Sequence, residues 1–105
     1  MADLFGKGPD GAVTDHAMRV VWLAKRAALK VIADRVHLDV CAAATGLSES
    51  HLSTALTAQS PERCTRSLDA KHEMAILRLG TEAERMAFIE ADLELWGYKA
   101  TPIKP

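Results

Sequence analysis

Cysteine and aromatic residues are scarce in this 105-residue chain, and neither sign of charge is in more than slight excess. Two cysteines, Cys41 and Cys64, are too few for a disulfide framework, so free thiols in a reducing, cytoplasmic compartment are expected. Aromatic residues make up 5% of the chain, and no run of β-branched and aromatic residues marks a strand. The opening MADLFGKGPDG has no apolar run of signal-peptide length. No stretch approaches the ~18 uninterrupted apolar residues of a spanning helix. A formal net charge of −1 excludes binding to nucleic acid through bulk positive charge. Gly-rich phosphate loops, a nucleophile elbow and a paired-carboxylate constellation are also missing, so neither an enzyme nor a cofactor is expected.

What is present is helical. Hydrophobic residues reach 49%, much of it alanine, enough for one small globular domain. Residues 1–13, with three glycines and a proline, read as a flexible arm. Thr14 can cap a helix running to about residue 36, with Val20, Val21, Ala24, Ala27, Ala28, Val31 and Ile32 on its buried face. Asp39 to Thr45 forms a short helix stopped by Gly46. Ser48 caps the next, which runs to about Ala58 and turns Leu52, Ala55 and Leu56 inward. Ser60 before Pro61 starts either a short helical turn or a loop. Ser67 caps a helix from Leu68 to Leu79, with Leu68, Ala75, Ile76 and Leu79 inward. Thr81 and Glu84 make a capping box for a last helix ending near Trp96, and residues 98–105 form a tail. The expected fold is all-α: a compact bundle of about five helices over residues 14–97, containing a helix-turn-helix.

Two patterns bear on function. Residues 16–72 carry eight basic and five acidic side chains, whereas residues 73–105 carry four basic and six acidic. The positive excess therefore sits around the tight turn at Gly46, where a face able to meet phosphates is plausible. In the last helix, Met86, Ile89, Leu93 and Trp96 fall at 3, 4, 3 spacing, with Phe88, Leu95 and Tyr98 outside that stripe. A helix of a small monomer rarely needs two apolar faces, so this stripe is the expected homodimer interface.

The segment DVCAAATGLSESHLSTALT resembles the helix-turn-helix of lambda-repressor/Cro-like phage regulators. Ala42 is small where the two helices cross, and Gly46 sits in the turn where positive φ is cheapest. Leu47 and Leu52 fall on the positions that plug the space between the helices, and Cys41 on an apolar position of the first. The chain departs from the family at Leu38 or Asp39, where a polar phosphate-binding residue such as Gln is common. It departs again at Ala55, where a bulkier apolar residue is usual, and its second motif helix holds no Arg or Lys.

The resemblance implies a sequence-specific transcriptional regulator that binds the DNA major groove as a homodimer. Base-reading positions then fall on Ser48, Glu49, Ser50 and Thr54, and His51 and Ser53 can reach phosphates or a base edge. Lys25, Arg26, Arg63 and Arg66 are the implied backbone contacts. The alternative is a helical protein-interaction module, an antirepressor or adaptor, that binds no DNA. The absence of Arg and Lys from the second motif helix favours the alternative; the Gly46 turn and its positive surroundings favour DNA. A zinc site from His37, Cys41, Cys64 and His72 is not expected, because the second pair stands eight residues apart.

Overall fold

A computed structural model describes residues 14–101 and 103. The expected arm, residues 1–13, lies outside the described residues. Five α-helices and one 3-10 turn make up the ordered elements, and no strand occurs among the described residues. They are α1 (Asp15–Val36), α2 (Leu38–Thr45), α3 (Glu49–Thr57), the 3-10 turn Pro61–Arg63, α4 (Ala70–Leu77) and α5 (Glu82–Leu95). The all-α expectation stands. No helix of the described residues is long and apolar enough to cross a membrane.

Capping residues set most boundaries. Thr14 Oγ1 accepts from the Ala17 N–H at 3.1 Å and starts α1. Ser48 Oγ accepts from the His51 N–H at 3.0 Å and starts α3. Ser60 Oγ accepts from Arg63 N–H, so the segment after Pro61 is one 3-10 turn. Thr81 and Glu84 exchange hydrogen bonds at 2.7 and 3.2 Å, the reciprocal box expected at the start of α5.

One start differs. Asp69, not Ser67, is the N-cap of α4, and its N–H donates to His72 Nδ1 at 3.2 Å. The Ser67 carbonyl instead meets His51 of α3, as described below. Leu68 is still buried, as an anchor just ahead of the helix.

The buried face of α1 is rotated from the expected one. Ala17, Val21, Ala28, Leu29, Ile32 and Ala33 are buried, while Ala24, Ala27 and Val31 are exposed. The rotation follows from two neighbours pulling on one helix. The main core joins Leu29, Ile32 and Ala33 to Cys41, Leu52, Ala55, Leu56, Leu68, Ile76 and Phe88. A smaller cluster joins Ala17 and Val21 to Ala91 and Leu95 of α5. Leaving two alanines and a valine in water costs little next to burying Leu29 completely.

α5 runs antiparallel to α1. Arg35 near the end of α1 meets Glu84 near the start of α5 at 2.8 Å, and Lys25 meets Asp92 two turns on at 3.0 Å. Gly80 allows the α4–α5 corner to close on the core: a Cβ there would lie 2.7 Å from Ile32 Cδ1.

Candidate nucleic-acid interface

α2 and α3 are separated only by Gly46, Leu47 and Ser48. Gly46 ends α2 in the left-handed conformation, φ 78°, with its N–H on the Ala42 carbonyl at 2.9 Å. Thr45 Oγ1 donates to the Cys41 carbonyl at 2.8 Å and accepts from Leu47 N–H at 3.2 Å, which stiffens the turn. Cys41 and Leu52 are fully buried, and Leu47 and Ala42 pack partly buried against them. This corner fixes the direction in which α3 leaves the core.

α3 therefore presents a sorted surface. Leu52, Ala55 and Leu56 are buried. Ser50, Ser53, Thr54 and Thr57 are exposed and fall at 0, +3, +4 and +7, one outward face. Thr57 bends back, its hydroxyl donating to the Ser53 carbonyl at 2.7 Å. The side chains of Ser50 and Thr54 hold no hydrogen bond among the described residues. Glu49 is exposed in the first turn. Of the expected reading residues, Ser48 has its hydroxyl engaged as the cap, whereas Glu49, Ser50, Ser53 and Thr54 face solvent.

His51 is half-buried and already partnered. Its Nε2 meets the Ser67 carbonyl at 2.8 Å, so the ring faces the loop before α4, not outward. That contact brings together α3 and a segment sixteen residues away.

The cations are distributed differently from the expectation. α1 carries five basic side chains, Arg19, Lys25, Arg26, Lys30 and Arg35, and each is paired with a carboxylate of the fold. Arg26, expected as a phosphate contact, is 7% exposed. Its Nη1 meets Glu73 at 3.2 Å and its guanidinium stacks 5.1 Å from the Trp22 ring centre, with Nε left without a partner. A guanidinium held this way ties α1 to α4 and cannot reach a phosphate outside. Lys25, the second expected contact on α1, is half-buried between Asp92 and the Phe88 ring, 4.9 Å from its centre. Both side chains are thus engaged within the fold.

Arg63 and Arg66 are exposed and form no ion pair among the described residues. Lys71, in the first turn of α4, is likewise exposed and unpaired there; sequence reasoning passed over it. The uncompensated positive charge nearest α3 thus sits on the loop that His51 holds and on the helix start just beyond it.

On α5, Phe88, Ala91 and Leu95 enter the core. Ile89 and Trp96 are exposed, and Met86 and Leu93 half-buried, on the other side. Glu82, Glu90 and Glu94 are exposed and flank that stripe without an ion pair among the described residues.

No group of three or more His, Cys, Asp or Glu comes together to hold a metal among the described residues. Burial, helped by Asp39, pushes the Cys41 thiol up from its ordinary value, as suits an inert core residue. No protein-family model, no curated protein and no solved structure matches this chain.

Proposed function

We propose that the protein is a sequence-specific DNA-binding regulator that lays α3 in the major groove. The observation that carries this reading is the outward face of α3. It is a short helix with a capped N-terminus, offering hydroxyls and Glu49 but no apolar side chain, beside a loop whose arginines form no ion pair among the described residues. Ser50 and Thr54 are free to bond base edges, and the Thr54 methyl suits a thymine. Arg63, Arg66 and Lys71 supply the phosphate contacts that set register and affinity. With so few cations, the salt dependence is modest and the specificity rests on hydroxyl contacts.

Two copies pair through Met86, Ile89, Leu93 and Trp96, so that each α3 reads one half of a two-fold site. Selection from a random duplex pool at low salt tests this reading. The expected result is enrichment of a two-fold symmetric site whose affinity falls with salt. A folded sample that enriches nothing overturns it.

The exposed Ile89 and Trp96 favour a second reading, a protein-interaction module that uses the same α5 face. Under that reading Leu93→Glu abolishes capture of a protein partner and no duplex is bound.

A further inference from the structure

We propose that His51 is a positioning residue for duplex binding, acting through Arg66; this rests on the reading of α3 given above. His51 lies in the first turn of α3, its backbone N–H taken by Ser48 Oγ and its ring Nε2 2.8 Å from the Ser67 carbonyl. A carbonyl oxygen only accepts, so Nε2 donates. On the other side, the Cys64 thiol donates to the Arg66 carbonyl at 2.7 Å. Two successive carbonyls, of Arg66 and Ser67, are therefore held, and Leu68 next in line is buried. The backbone carrying Arg66 is clamped while its guanidinium stays exposed and unpaired among the described residues.

Only one side-chain hydrogen bond joins α3 to this loop among the described residues, and it is the one from His51. The consequence is geometric. A mobile loop would let Arg66 wander in solvent, where a cation gains little from a phosphate. A clamped loop holds the backbone of Arg66 at a fixed offset from the first turn of α3, so that seating α3 in a groove brings the guanidinium within side-chain reach of the same phosphate each time. His51 itself touches no nucleic acid. Its substitution removes a phosphate contact made by another residue.

The test is a salt titration of binding to a labelled random-sequence duplex of about 25 bp, followed by fluorescence anisotropy over about 50–200 mM salt. Each lost phosphate contact makes the log–log slope shallower by about 0.9, so that affinity falls about 3.5-fold less across that range. Arg66→Ala is expected to lose that increment. His51→Phe, which keeps a ring but cannot donate, is expected to lose the same increment, and the double variant no more. His51→Gln, whose amide can donate to the Ser67 carbonyl, is expected to keep the wild-type slope. A merely structural role for His51 would lower the melting temperature and leave the slope alone, so both are recorded.

Three results overturn the proposal: a wild-type slope in His51→Phe, a double variant shallower by two increments, or an Arg66→Ala slope equal to wild type. Failure of the folded wild-type protein to bind any duplex at the lowest salt overturns the functional reading itself, and this inference with it. That outcome is told apart from the other three by the wild-type titration alone.

Discussion

Replacing His37 by glycine should stabilise this protein. His37 is the single residue between α1 and α2, and its backbone sits at φ 79°, ψ 151°. Side chains avoid that region because Cβ crowds the backbone; it belongs almost exclusively to glycine, and a non-glycine residue there costs on the order of 1–3 kcal/mol. Glycine carries its own penalty of about 0.5–1 kcal/mol, from the freedom it loses on folding. The difference leaves a net gain of roughly 0–2.5 kcal/mol, centred on about 1 kcal/mol. Little is lost in exchange. The His37 N–H donates to Ala33 at 2.8 Å and its carbonyl accepts from Cys41 at 3.4 Å, and both survive the substitution because they are backbone groups. The side chain is exposed and holds no hydrogen bond among the described residues. Urea denaturation is the assay, with the midpoint expected to rise at unchanged slope, and the melting temperature to rise by several degrees at about 4–8 °C per kcal/mol. His37→Ala is the control: it keeps Cβ and the strain, so it should sit near wild type. If the glycine variant is no more stable than the alanine variant, the strain argument is refuted.

Gly80→Ala should destabilise by about 1–3 kcal/mol in the same denaturation assay, because its Cβ would press on buried Ile32 Cδ1, and Ile32→Val in the same chain should recover part of the loss. The Glu84 carboxyl is held down at about 2, first by Arg35 and then by the Thr81 N–H, against an ordinary 4.5. Its contribution is therefore complete above about pH 4.5 and drains away as pH falls towards 2, so the stability gap between wild type and Glu84→Gln should narrow over that window in an acid titration followed by circular dichroism. Ser50→Ala with Thr54→Ala should weaken binding to a selected site roughly tenfold and leave the fold unchanged; undiminished affinity would remove α3 as the reading element. Leu93→Glu should give monomers on a sizing column. For the wild-type chain the dimer fraction should rise with added salt, since pairing this face brings together two surfaces that each carry Glu82, Glu90 and Glu94.

The helices were legible because their ends are written locally. Thr14, Ser48, Ser60 and Thr81 each cap within three residues, and a sequence shows such pairs directly. The start of α4 was not, because Ser67 and Asp69 are both good caps and only the His72 ring closing on the Asp69 N–H distinguishes them. The rotation of α1 was hidden for a related reason. Its alanines and valines fit several faces about equally, and Leu29 was drawn inward by helices that follow later in the chain. Periodicity reports that a helix has an inside; which side it is depends on what packs there.

The candidate site divides along the same line. The hydroxyl face of α3 follows from spacing once Leu52, Ala55 and Leu56 are turned inward. The identity of the free cations does not, because most of the pairs that consume α1's charges span 43 to 67 residues, and only Lys30–Asp34 is local. Counting charges by segment locates an excess between residues 16 and 72 but does not show which of those charges are paired within the fold. The fold makes its positive surface by subtraction: α1 gives up its five charges to brace α4, α5, the 3-10 turn and itself, and Arg63, Arg66 and Lys71 are what remains near α3. An acidic chain with net charge −1 can in this way still offer phosphates a local welcome. Each brace that is removed should therefore loosen the fold, so that Glu73→Gln lowers the midpoint of urea denaturation.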